Sequence, residues 1–165
     1  MIEIDLLKKV RIFEALDASQ LSLLLDLLKP QSFKRGDYIL KDESYGDMLY
    51  ILVEGKVKVT KELVKGIEVG RSDEKVLVTL DGSMLPTFGE NGILGHAPRT
   101  ANVIAHTDCL LYYITKADFD ALAIQDVQAA YHIILNIAQV LSDRLHTTDD
   151  NLVKLATALF IAARQ

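Results

Sequence analysis

The residues best suited to chemistry fall in one short run, Phe88-Gly89-Glu90-Asn91-Gly92-Ile93-Leu94-Gly95-His96-Ala97-Pro98-Arg99-Thr100-Ala101. Arg99 supplies a planar fork of N–H donors that grips two phosphate oxygens at once, a geometry lysine cannot copy. Glu90, when ionised, only accepts hydrogen bonds, so it suits a sugar hydroxyl and not a phosphate. Gly89, Gly92 and Gly95 let the backbone approach a ligand closely and take positive φ where a turn demands it. The stretch from Glu90 to Leu94 is expected to form one helical turn whose free N–H groups face an anion. Together these residues describe a site for a small sugar phosphate with an exposed hydroxyl. A structural ion pair between Glu90 and Arg99 would satisfy the same two charges without any ligand.

Other chemistries find little support. His96, His106, His132 and His146 are scattered, with no two close enough for the H-x-H pair of a metal centre in a β-barrel, so no metal is expected. Cys109 is the sole cysteine, which rules out an intramolecular disulfide or a CxxC site; its apolar strand context predicts a packed, inert thiol. No Ser–His–Asp ordering argues for a nucleophile, and no catalysis is expected. The net charge of −5 opposes a surface that wraps duplex nucleic acid, although a local basic site remains compatible with it. The amino terminus carries charges throughout and lacks the apolar block of a signal peptide. No run approaches the roughly 18 apolar residues of a membrane span. A cytoplasmic location is the default expectation.

These site residues need elements to hold them, and the hydrophobic periodicity supplies candidates. Residues 2 to 29 read as helical, with Ile2, Leu6, Leu7, Val10 and Phe13 on one face. Asp17 and Gln20 resemble a capping box for a second helix over Leu21 to Leu28, which Pro30 stops. From Phe33 to Ile114, short β-forming runs are separated by turns at Arg35-Gly36-Asp37, Tyr45-Gly46-Asp47, Glu54-Gly55, Lys65-Gly66 and Asp81-Gly82. The runs are Tyr38–Leu40, Met48–Val53, Val57–Thr60, Val76–Leu80, Ala101–Ala105 and Leu110–Ile114. Val57 and Val59 are expected on one face, with Lys56, Lys58 and Thr60 on the other. Many short strands at this spacing predict an antiparallel barrel or sandwich of jelly-roll type.

Helical period returns after Thr115, which forms a second capping signal with Asp118. A short helix around Asp118–Ala123 is followed by a long one from Val127 to about Arg164. Within it Leu141, Leu145, Thr148, Leu152, Leu155, Leu159 and Ala162 recur at alternating steps of four and three, a heptad stripe. Such a helix overhangs a small barrel, so the stripe predicts self-association into a homodimer. Packing against the protein's own body is the alternative. The fold class is therefore α+β, mainly β, and the chain 1–165 reads as a single domain. Helices fill 1–30, the barrel 31–115 and the carboxy-terminal helices 116–165.

The Phe88–Ala101 run closely resembles the phosphate-binding cassette of the cyclic-nucleotide-binding domain family, which includes the bacterial catabolite activator, protein kinase regulatory subunits and nucleotide-gated channels. The family pattern reads FGE, a short helix, then PR followed by a small residue and Ala. Phe88-Gly89-Glu90 and Pro98-Arg99-Thr100-Ala101 match it, nine positions separating Glu90 from Arg99. Gly46-Asp47-Met48-Leu49-Tyr50-Ile51-Leu52-Val53-Glu54-Gly55 resembles the family's D-x-x-Y strand and turn. The order of helices, strands and helices agrees along nearly the whole chain.

The resemblance implies a ligand, cAMP or cGMP, and no further cofactor. Glu90 would accept the ribose 2′-hydroxyl and Arg99 would pair with the cyclic phosphate, while Gly89, Asn91 and Thr100 complete the cassette. Arg144-Leu145 resembles a dipeptide of the catabolite activator, which places Arg144 near the ribose–phosphate and Thr148 and Asp149 near the base, as parts of a lid. A carboxylate at Asp149 and a hydroxyl at Thr100 lean towards guanine, with the choice of base left open. Departures also stand out. Asn91-Gly92 replaces apolar or small residues, Gly92 weakening a helical turn by about 1 kcal/mol relative to Ala. Ser83-Met84-Leu85-Pro86-Thr87 is longer than the family's usual link and is expected to leave the ligand loop mobile or reshaped. The sequence shows no helix-turn-helix, kinase motif or membrane span, so the expectation is a stand-alone sensor that signals to an unknown downstream protein and does not read DNA. The alternative is the same fold without a ligand, serving as an interaction and dimerisation module.

Overall fold

Alternating apolar side chains between tight turns build two antiparallel sheets in the computed structural model, which describes residues 2–62, 74–95 and 97–164. The Lys65-Gly66 turn and His96 lie outside the described residues. The strands are β1 (Lys29–Phe33), β2 (Tyr38–Leu40), β3 (Met48–Glu54), β4 (Lys56–Glu62), β5 (Glu74–Asp81), β6 (Thr87–Phe88), β7 (Asn102–Ala105) and β8 (Cys109–Thr115). β1 pairs with β8, β2 with β7, β3 with β6 and β4 with β5, and the pairs join as β1-β8-β3-β6 and β2-β7-β4-β5. This nested pairing is the winding of a jelly roll. The sheets meet across an apolar core that includes Ile39, Leu52, Val57, Phe88, Val103 and Leu111. β3 is buried on both faces. Tyr50 and Leu52 enter the core between the sheets, while Leu49 and Ile51 enter a second core shared with the helices, which explains its unbroken apolar run.

The helices are α1 (Ile4–Leu7), α2 (Ala18–Leu27), α3 (Asn91–Leu94), α4 (Lys116–Gln125) and α5 (Val127–Ala162), with 3-10 turns at Arg11–Phe13 and Gly82–Met84. Both capping boxes form: Asp17 accepts from the Gln20 N–H while Gln20 accepts from Asp17, and Thr115 and Asp118 do the same. Local sequence misleads at two places. The amino-terminal stretch is two short helices and a 3-10 turn, although Ile2, Leu7, Val10 and Phe13 are buried as expected. The second helix ends before Pro30 as expected, but Lys29 is already in β1, which Pro30 continues. β1 is an edge strand, where a residue without an N–H is tolerated. Thr60 lies on the face opposite Val57 and Val59 as expected, yet it is buried there beside its cross-strand partner Asn102, its hydroxyl donating to the Glu74 carboxylate at 3.2 Å.

α5 has two unlike halves. Ala129, Ala130, Ile133, Ile137 and Val140 are buried, and Asn136 donates to the carbonyls of Ile12 (3.2 Å) and Glu14 (2.7 Å). Asp143 pairs with Arg11 at the end of this docked segment. From Ser142 onwards every described residue is exposed, and Leu145, Leu152, Leu155 and Leu159 stand in solvent. The heptad stripe therefore does not pack on the chain's own body beyond Leu141.

Candidate functional site

β6 delivers the glycine-rich run. Phe88 pairs with Tyr50 of β3, and their rings stack at a centroid distance of 5.7 Å, which buries Phe88 as a core residue. Gly89 follows with φ +87°, and a Cβ there would lie 2.8 Å from the Met48 carbonyl oxygen. Only glycine combines that turn with that approach. Glu90 then opens α3, whose Ile93 is buried in the helical core. Gly92 turns out to be required: a Cβ would fall 2.7 Å from Met48 N and 2.9 Å from the Gly46 carbonyl oxygen. Its helical cost is the condition for packing α3 directly on the backbone of the β2–β3 loop and β3. The long link is likewise ordered, with Leu85 buried at φ +48° and the Pro86 carbonyl accepting from Leu52 N–H at 3.0 Å. It reshapes the connection and packs into the body.

Arg99 is 5% exposed, and its guanidinium donates from Nη1 to the Gly89 carbonyl (2.7 Å) and from Nη2 to the Met48 carbonyl (2.8 Å). Its backbone is held on both sides, Arg99 N–H donating to Ser44 O at 2.7 Å and Glu43 N–H to Arg99 O at 2.9 Å. Gly46 makes room, since a Cβ there would sit 3.0 Å from Nη2. Burial pulls the guanidinium below its ordinary pKa, partly countered by Tyr50, Glu90 and Asp47. Among the described residues no carboxylate forms a salt bridge with Arg99, so the simple Glu90–Arg99 pair is absent. Two of the five N–H groups are spent on carbonyls, and the positive charge itself is uncompensated at close range.

Glu90, also 5% exposed, faces the same space. Arg144 reaches over from α5, Nη1 lying 2.9 Å from Glu90 Oε1 and Nη2 donating to Thr87 O at 2.7 Å. The Nη1 contact has the distance of an ion pair without the alignment of a hydrogen bond, and Glu90 Oε1 is a buried oxygen with no donor aimed at it. Gly89, Glu90, Asn91, Arg99, Thr100 and Arg144 all line one cavity of about 300 Å³. Asn91 Nδ2 donates to Pro98 O at 3.3 Å, bracing the two ends of the run. The remaining wall is apolar: Leu40, Val59, Val78, Leu80, Val103 and Leu141. Those residues carried no sign of their role except Leu141, one turn before Arg144 on the heptad stripe. Thr148 and Asp149 do not line the cavity. Both are exposed on α5, and the Thr148 hydroxyl donates to Arg144 O at 2.9 Å.

A concave apolar wall with a buried guanidinium and a buried carboxylate converging on it can hold a small anionic ligand that also offers a hydroxyl donor and an apolar face. Comparison with known proteins agrees. The sequence profile of the cyclic nucleotide-binding domain matches residues 30–126. The cAMP-dependent protein kinase regulatory subunit of Dictyostelium discoideum is 38% identical over 108 residues, covering 64% of this chain and 32% of that protein. The CRP-like cAMP-activated global transcriptional regulator of Mycobacterium tuberculosis is 30% identical over 151 residues, covering 92% of this chain and 62% of that protein. The chain thus spans less than two thirds of either relative. The crystallised N-terminal domain of a transcriptional regulator from Streptomyces coelicolor A3(2) superposes with a TM-score of 0.70 at 27% identity, covering 91% of this chain and 95% of that one. With the cassette, the strand order and the profile in agreement, this chain belongs to the cyclic nucleotide-binding domain family.

Proposed function

We propose that the chain is a binding module, not an enzyme, which takes cAMP or cGMP into this cavity and signals occupancy through α5 to a protein partner. The observation that carries the reading is Arg99: a cation this deeply buried, with carbonyls for neighbours and no carboxylate in salt-bridge contact, is completed by an anion. In this reading the cyclic phosphate pairs with Arg99. Glu90 Oε1, which lacks a donor, accepts the ribose 2′-hydroxyl, and Gly89, Asn91 and Thr100 shape the remainder of the cassette. The apolar wall takes the flat faces of ribose and base.

Arg144 is the element that feels the ligand. It already touches Glu90 at 2.9 Å, so a sugar hydroxyl that claims the carboxylate must change that contact and with it the pose of α5. Thr148 and Asp149 lie one turn further along and reach the base only if α5 moves relative to the cavity. The shift requires tighter binding to one pose than to the other, since equal affinity moves nothing. Self-association along Leu145, Leu152, Leu155 and Leu159 would make two such helices respond together, and it gives the exposed stripe a partner.

Calorimetric titration of the protein with cAMP and with cGMP tests the reading. Saturable one-site binding of either nucleotide, with a rise in melting temperature, is expected. Absence of binding at millimolar nucleotide would overturn it and leave an interaction module in the same fold.

A further inference from the structure

The proposed roles leave one polar chain unexplained, and it ends on the cassette. Lys61 Nζ donates to the Thr100 carbonyl at 2.8 Å and lies 3.2 Å from both carboxylate oxygens of Asp42. The Asp42 N–H donates to Asn102 Oδ1 at 2.8 Å, and Asn102 Nδ2 donates to Glu74 Oε1 at 3.1 Å. The Thr60 hydroxyl donates to the other oxygen of Glu74 at 3.2 Å. Thr60 and Asn102 are buried and the Asp42 side chain is 16% exposed, so the network is anchored in the interior and reaches the half-exposed Lys61 (49%) at its outer end. It joins β4, the β2–β3 loop, β7 and the start of β5 to a single peptide group beside Arg99.

We propose that Lys61 is a positioning residue of the nucleotide site, holding the Thr100–Ala101 peptide in the orientation that presents these two cavity-lining residues to the ligand. The inference rests on the cyclic-nucleotide reading of the cavity. Arg99 is fixed through its side chain by Gly89 O and Met48 O, and through its backbone by Glu43 and Ser44. None of these bonds restrains the Thr100 carbonyl; Lys61 does. The loop commits strain to the same end, since Glu43, which donates to Arg99 O, holds φ at +59°. Asp42 orients the ammonium, and its own N–H is pinned by Asn102. If the carbonyl is released, the peptide that links Thr100 to Ala101 is free to rotate, and the arginine stays in place.

The test compares Lys61→Met with Lys61→Arg, and with Lys56→Met, which removes a 2.9 Å ion pair between the other end of β4 and Asp81 on β5. Loss of a charged donor to a carbonyl is expected to weaken cAMP or cGMP binding about tenfold. Lys61→Arg should restore most of it, and Lys56→Met should change it less than twofold. In a Thr100→Ala background the effect of Lys61→Met should shrink to within about threefold, because the two act on one contact. Without nucleotide, amide exchange at residues 99–101 should speed up in Lys61→Met and not in Lys56→Met. Wild-type protein that binds neither nucleotide overturns the site reading and this inference with it. Wild-type binding with an unchanged affinity in Lys61→Met overturns this inference alone, as does an additive double mutant.

Discussion

The cassette and the far half of α5 are opposite kinds of structure in one chain. In the cassette Gly89, Gly92 and Arg99 are tightly specified: two glycines where a Cβ would strike backbone, an arginine held by two carbonyls, and its backbone bracketed by Glu43 and Ser44. From Ser142 onwards α5 has helical bonds and an apolar stripe but buries nothing. The contrast teaches where the protein keeps its freedom. On the proposed reading, a site that recognises one small molecule is preorganised, whereas the helix half that would report the event has few contacts with the body, so that a few kcal/mol can move it. Arg144 is the contact between the two regions.

That division can be broken from either side. The largest effect is expected from Arg99→Ala, which should cost roughly 2–5 kcal/mol of nucleotide binding by leaving a buried phosphate unpaired. Calorimetry giving equal affinities for wild type and variant would remove the preorganised site. Next, Leu152→Asp should weaken the proposed dimer by about 2–3 kcal/mol, the transfer value of one leucine, while leaving the melting temperature of the monomer nearly unchanged. Sedimentation equilibrium at several concentrations measures the first and thermal unfolding the second. A large loss of monomer stability would show that the helix is not free.

Gly92→Ala sharpens the comparison because two principles give opposite signs. Helix propensity predicts a gain of about 1 kcal/mol, whereas a Cβ placed 2.7 Å from Met48 N predicts a loss of about 1–3 kcal/mol. We expect the loss, read from urea unfolding. The smallest effect concerns Asp81, whose bonds to Lys56 and the Ser83 N–H lower its carboxyl from 3.8 to about 2. A depressed carboxylate adds stability above its unfolded pKa, and that stability fades as pH falls from about 4 towards 2. The group is solvent-exposed, so the change is small. Asp81→Asn should flatten the acid limb of the stability curve slightly, and an unaltered curve would show the pair to be inert.

Much of this was legible beforehand where the signal is local. Asp17 with Gln20, and Thr115 with Asp118, lie within one turn of each other, so their caps follow from spacing alone. The cassette was readable because its glycines, carboxylate and arginine are consecutive in the chain and mark a ligand chemistry together. Legibility failed where a distant strand decides. Lys29 reads as the last helical residue but opens β1, because β8 lies beside it. Thr60 faces away from the sheet core as its alternation says, but only the tertiary structure buries it there against Asn102 and Glu74. Gly92 reads as a defect until the loop at Gly46 and the start of β3 come within bonding distance of it.

By itself the amino-acid order determined the alternation of strands and helices, the caps, the residue types of the cavity-lining run and the apolar stripe, all of which depend on neighbours within a few positions. Folding in three dimensions decided which charges meet. Arg99 could have paired with Glu90, yet it bonds to two carbonyls, and Glu90 meets Arg144 from more than fifty residues away. Electrostatic partnership depends on distance through space and on exclusion from water, and chain spacing encodes neither.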